Sequence, residues 1–211
     1  GTSIFGGTLQ IANESNIGLG DIAISDATFS ITSSGNFAQR LQLGGVSVIS
    51  VAPGATVSWN GDIDEDADLT GTLHVDGGGR LVLNPVNSLY SAGTMVHGGS
   101  VLQVGADAAL GLAAGNLTLG DAASTGALSI SAGANFTSLR QVALGAAGGT
   151  IDAQAGSTVT MNGVISGAGG LTKGGSGTLV LNGANTYTGA TSVDAGRLRA
   201  GAANIFFSGA A

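Results

Sequence analysis

The sequence has 211 residues, of which 43 % are hydrophobic, 9 % charged and 4 % aromatic, so a core is within reach but must come from Leu, Val, Ile and Ala. Its 39 glycines disfavour long helices, and two prolines without a three-residue glycine period exclude collagen. Thirteen acidic against six basic residues give a net charge of −7 with no basic cluster, which argues against nucleic acid, and the absence of cysteine excludes disulfide scaffolds and thiolate metal sites.

Along the chain, apolar residues recur in pairs with period two: Leu9 and Ile11, Leu41 and Leu43, Leu81 and Leu83, Leu117 and Leu119, Leu128 and Ile130, Leu179 and Leu181. That spacing predicts short strands, and Gly, Asn, Asp or Ser punctuates them too often for crossover helices to fit between. No apolar run is long enough for a membrane span, and no charged-then-apolar leader stands at Gly1, so a processed or excised piece of something longer is expected.

The strands repeat as a block. "NIGLGD" (16–21) returns as "NLTLGD" (116–121), "FSITSSGNF" (29–37) as "LSISAGANF" (128–136), "GATVSWNG" (54–61) as "GSTVTMNG" (156–163), "RLVLN" (80–84) as "TLVLN" (178–182) and "YSAGTMVHGG" (90–99) as "YTGATSVDAG" (187–196). The order is preserved at an offset of about one hundred residues. The reading is one continuous solenoid: unit one over 1–99, unit two over 100–196, and a further coil begun in 197–211. An all-β solenoid explains such duplication: coils of roughly 20 to 25 residues stack into parallel sheets, roughly eight to nine coils in all and about four per unit. Inward residues then stack on their equivalents, and Gly or Asn takes left-handed corners. Asn84 and Asn182, each following a "LVL" strand, are corner candidates whose amides could bond along the stack.

Within unit two, 165–198 resembles the autotransporter-associated β-strand repeat, also called the passenger-associated transport repeat, of bacterial outer-membrane autotransporters. The matching residues are 169–173 (GGLTK), 177–181 (GTLVL), 185–189 (NTYTG), then Thr191, Val193 and Gly196. Unit one carries a degraded copy: Leu69-Thr70, 81–84 (LVLN), Asn87, Tyr90, Thr94, Val96 and Gly99, without the lysine. The resemblance implies a right-handed parallel β-helix passenger, at the bacterial cell surface or secreted. It also implies a partner outside these 211 residues, the C-terminal translocator barrel of the same polypeptide.

Few residues suggest chemistry. No nucleophile elbow, phosphate loop or paired-histidine zinc motif is present, so an enzyme is not expected. His74 and His97 lie about one coil apart and are read as exposed strand-edge residues; Trp59 and Tyr90 are read as packing residues in preference to carbohydrate platforms. Ser157, Ser166 and Ser176 are read as turn residues. Arg40, Arg80, Arg140, Lys173, Arg197 and Arg199 are dispersed, with no cation-assisted groove among them. The acidic run "DIDEDAD" offers Asp62, Asp64, Asp66 and Asp68 as calcium ligands, although Ala67 and Leu73 depart from the EF-hand pattern. The alternative, preferred here, is a solvated corner: "DEDAD" (64–68) aligns with "SGAGG" (166–170), which predicts side chains pointing into water.

The leading functional expectation is a non-catalytic stalk or adhesive segment. A direct adhesin or self-association module, meeting a host surface or matrix component or the same protein on another cell, is the alternative. A polysaccharide-acting β-helix enzyme comes third.

Overall fold

The computed structural model describes residues 1–65, 69–84 and 88–201. It is an all-β parallel solenoid of about nine turns; among the described residues every strand pairing is parallel and two short 3-10 segments are the only helical elements. At about 4.8 Å per rung, nine turns make a stack on the order of 40 Å long.

Each turn visits three faces in order. The first face carries Thr2–Phe5, the opening halves of Ile22–Ile31 and Leu41–Val51, Ile63–Glu65 and, higher up, Asn135–Ser138, Thr158–Met161, Thr178–Leu181 and Arg197–Ala200. The second carries Thr8–Ile11, the closing halves of the two long strands, Gly71–Asp76, Thr94–Val96, Leu117–Leu119, Val142–Leu144 and Ile165–Gly167. The third carries Gly35–Phe37, Thr56–Trp59, Arg80–Leu83, Val101–Val104, Gly126–Ile130, Gly149–Ala153, Leu171–Gly174 and Thr191–Val193.

Alternation sets what faces inward. On the third face Val57, Leu81, Leu102, Leu128, Ile151 and Lys173 stand in one register column, and Trp59, Leu83, Val104, Ile130 and Ala153 in the next; all are buried. Aromatic residues fill the lower interior. Phe37 stacks on Trp59 with centroids 5.0 Å apart, and Phe29 meets both edge-on.

The corner between the first two faces needs left-handed backbone where a long strand bends through it. Asp26 (φ 47°) and Gly45 (φ 56°) supply it, and Asp26 Oδ1 accepts the Val46 N–H at 3.0 Å. A Cβ on Gly45 would lie 2.2 Å from that carboxylate, so only glycine fits beside it. The expectation of left-handed asparagines fails here: among the described residues, all positive-φ positions other than Asp26 are glycines. Asn84 and Asn182 instead bond along the stack as anticipated, Asn84 Nδ2 donating to Asn60 Oδ1 at 3.0 Å and Asn182 Nδ2 to Asn162 Oδ1 at 2.7 Å.

The structure also corrects the phase of the repeat. Thr56–Trp59 lies on the third face while its sequence counterpart Thr158–Met161 lies on the first; Arg80–Leu83 and Thr178–Leu181 differ in the same way. Thr56–Trp59 closes turn three, and Thr158–Met161 opens turn eight. The repeat therefore advances four turns and one further face, not a whole number of turns.

A core substitution tests the stacking. Leu102→Ala empties a fully buried site between Leu81 and Leu128 and should cost about 2–5 kcal/mol, whereas exposed Leu139→Ala should stay within about 0.5 kcal/mol by denaturant unfolding. Equal costs would contradict the column.

Candidate functional site

The acidic run begins as a strand. Ile63–Glu65 pairs with Leu41–Leu43, and the two acids it contains have protein partners. Arg40 Nε donates to Asp64 Oδ2 at 2.6 Å, and Arg40 also lies 3.7 Å from Asp21. Glu65 Oε2 accepts from the Gly71 N–H (3.1 Å), the Ser91 N–H (3.0 Å) and Ser91 Oγ (2.9 Å), tying its own corner to the turn above. Burial alone would raise the Glu65 carboxyl, but those three bonds outweigh it and hold it below its ordinary value. The prediction that 64–68 points into water thus fails at Glu65. The aligned residue, Gly167, occupies the same strand position on a different face, next to different neighbours.

Of the four calcium candidates, Asp62 precedes the strand, its carbonyl accepting the Leu41 N–H at 2.8 Å, and Asp64 is engaged by Arg40. Asp66 and Asp68 lie outside the described residues. Among the described residues no group of three or more His, Asp or Glu side chains is placed to hold a metal ion.

His74 and His97 do meet on the second face, rings edge-on at 5.8 Å, and both are partly buried, not exposed. His97 Nδ1 sits 3.5 Å from Asp121 and 3.8 Å from Asp76, bridging turns four to six, while His97 Nε2 is buried without a hydrogen-bond partner. Burial, reinforced by His97 and opposed by Asp76, lowers the pKa of His74. Backbone N–H donation from Ala123 and Ser124 holds Asp121 low.

Trp59 and Tyr90 are packing residues as read. Both are buried; Trp59 Nε1 donates to Gln39 O at 3.1 Å, and Tyr90 hydroxyl shares a 2.7 Å hydrogen bond with Thr94. The repeat duplicates that bond as Tyr187 to Thr191 at 2.6 Å. Burial pushes the Tyr90 phenol above its ordinary value. Ser157 closes its turn by donating to Gln154 O at 2.7 Å.

Two cations escaped the sequence reading. Lys173 is fully buried at an inward position, its ammonium donating to Gly174 O, to Gly175 O (2.7 Å) and to Ala195 O (3.1 Å), and burial lowers its pKa. The period-two spacing from Leu171 was the available signal for it. Arg140 is buried as well, bonded to a loop some thirty residues earlier in the chain. No local pattern announces such a contact.

The buried charges therefore hold turns together. A family model described as passenger-associated-transport-repeat matches residues 73–104 and 171–200. The chain carries this repeat twice. Each copy spans one full turn and part of the next, the first starting on the second face and the second on the third. The Tyr–Thr bond lies inside both copies. The chain is also 37 % identical over 155 residues to the adhesin BmaC autotransporter of Brucella suis biovar 1 (strain 1330), an alignment covering 72 % of this chain and 4 % of that protein. No solved structure matches. These findings agree with the resemblance to autotransporter passengers carried by 165–198.

Glu65 gives a pH test. Its folded pKa lies below the ordinary 4.5, so its stabilisation is complete above that pH and is lost as the pH falls through the folded value. Glu65→Gln should lower the melting temperature at pH 7 and flatten the acid limb between about pH 3 and 5. An acid limb identical to the wild type would refute the role.

Proposed function

We propose that this chain is a non-catalytic, adhesive segment of an autotransporter passenger, presented at the bacterial surface or secreted, and forming one continuous rod across its sequence units 1–99 and 100–196 and the start of 197–211, of which 202–211 lie outside the described residues. The observation that carries this reading is the 37 % identity to an autotransporter adhesin over most of the chain, joined to two copies of a passenger repeat. Supporting it, the buried cations Arg140 and Lys173 bond backbone carbonyls, so neither is available to a substrate. The role is mechanical: stacked turns give length and stiffness, and outward side chains supply contact. A host surface or matrix component is the expected partner, with the translocator barrel of the parent polypeptide as the route outward. No helix among the described residues is long and apolar enough to cross a membrane.

One feature favours direct adhesion or self-association over a passive stalk. Among the described residues, six of the eight large exposed hydrophobic residues, Phe5, Val46, Leu69, Leu89, Leu112 and Leu139, lie in the passage from first to second face in turns one and three to seven. Such an alignment of apolar side chains marks contact surfaces more often than scattered ones do.

Beads coated with the chain provide the test. Adhesion to host cells or immobilised matrix, reduced at least several-fold by Leu89→Ser with Leu112→Ser, supports direct binding; bead clumping without cells supports self-association. Beads that bind nothing while a longer passenger does would leave this segment a spacer.

A calcium role for Asp62, Asp64, Asp66 and Asp68 has its own outcome. It requires a higher melting temperature in millimolar calcium than in chelator, and loss of that difference in Asp66→Asn with Asp68→Asn. Equal melting temperatures would refute calcium binding at these residues.

A further inference from the structure

The first-face ladder is broken in turn six. Below the break it ends on the isolated bridge from Ile63 to Ser88, and above it resumes with Asn135–Ser138, the end strand of its sheet. Residues 107–115 cross the gap without strand pairing. They form a single 3-10 turn, Asp107–Leu110, whose N-cap Ala106 offers no side-chain bond, then Gly111 at φ 80° and a tight turn closed by Gly115 N–H to Leu112 O at 2.9 Å. Gly111 packs closely against Tyr90: a Cβ there would come within 2.4 Å of Tyr90 O and 2.9 Å of the ring. Among the described residues one backbone bond, Leu112 N–H to Tyr90 O at 2.9 Å, ties it to the turn below.

Arg140, from the turn above, supplies the rest. Nε donates to Asp107 Oδ1 (3.0 Å), Nη1 to Leu112 O (2.7 Å) and Gly115 O (2.9 Å), and Nη2 to Asp107 O (3.2 Å) and Gly111 O (2.6 Å). All five guanidinium donors are thus used on nine consecutive residues, by a side chain only 2 % exposed. A cleft of about 280 Å³, lined by Ser88, Leu89, Gly111, Leu112 and Arg140 among others, runs beside the segment.

We propose that residues 107–115 are a strap latched by Arg140, able to open as a unit while the turns on either side stay folded. Neighbouring turns five and six remain joined by unbroken second- and third-face ladders, from Thr94–Val96 to Leu117–Leu119 and from Val101–Val104 to Gly126–Ile130, so release of the strap does not separate them. Opening uncovers buried Tyr90, Ala109 and Leu110 and the free edge of Asn135–Ser138. Because the latch comes from turn seven, the strap orders only after that turn has formed.

Hydrogen exchange read by mass spectrometry on the intact chain tests this in the wild type first. Amides 108–115 should exchange through an opening with little denaturant dependence, while Val101–Val104 and Gly126–Ile130 exchange only with a steep dependence. Arg140→Met should accelerate exchange in 108–115 by at least tenfold and create a protease site there, leaving those two strands protected; Arg140→Lys, with three donors in place of five, should fall between. Arg80→Met, which removes a partly buried bond to Gln103 on the third face, should leave the strap unchanged. A common denaturant dependence for strap and strands in the wild type would overturn the proposal. So would acceleration spread evenly over turns five to seven in Arg140→Lys.

Discussion

Parallel stacking in register is the constraint on which the rest of this molecule depends. In a parallel ladder each residue sits on its counterpart one turn away, so an inward position is packed above and below by whatever occupies the same place in the neighbouring turns. Columns such as Val57–Leu81–Leu102–Leu128–Ile151 follow, and with them the narrow interior of branched aliphatics that a chain with few aromatics can fill. The demand on sequence is correspondingly loose: alternate apolar residues for three or four positions, then a residue able to turn the corner. Any strand that meets it serves on any face. That is why a repeat can advance by four turns and one face and still keep its core.

Corners are where the ladder leaves backbone groups to be satisfied by other means. The chain does this with charge at several corners, the most enclosed being three. Glu65 accepts two backbone N–H groups, Lys173 donates to three carbonyls and Arg140 to four, so ionic side chains complete the hydrogen bonding that strands cannot. A buried charge with only apolar neighbours would be strongly destabilising; one surrounded by backbone dipoles is tolerated and fixes the geometry of its turn. Several of the few charged residues in this sequence therefore do structural work, and the surface is more acidic than composition implies, since two of the six basic side chains are internal.

The strands were legible because alternation is a local signal, and so were the packing roles of Trp59 and Tyr90 and the amide pairs at Asn84 and Asn182. Phase was not. Sequence alignment of the two units compares strand with strand but carries no information on which face a strand occupies, and the solenoid accepts either placement. The same blindness produced the error at 64–68: alignment with glycine and serine on another face says nothing of Ser91, which sits one turn above Glu65 in space and 26 residues away in the chain. Arg140 and the strap are further apart still, and the irregular loop they secure has no periodic signature. Lys173 was readable in principle, since inward alternation placed it on the Ile151 column, but a lysine in that register is naturally taken for a surface residue until the carbonyls around it are seen.

The rotation of the repeat separates what repeats inside from what repeats outside. The equivalent pairs Tyr90–Thr94 and Tyr187–Thr191 are preserved because a bond made beneath the corner, from a buried tyrosine, is indifferent to face, whereas the outward residues of matched segments point in different directions around the rod. A partner recognising the motif itself would have to approach the two copies from two sides. The exposed apolar residues obey another rule. Val46, Leu69, Leu89, Leu112 and Leu139 succeed one another turn by turn in one passage between faces, so they follow adjacency in space and ignore the hundred-residue repeat. Selection for folding and selection for contact can thus act on separate residues: the repeat needs only its inward half, and the column along the corner is free to change with the surface it meets.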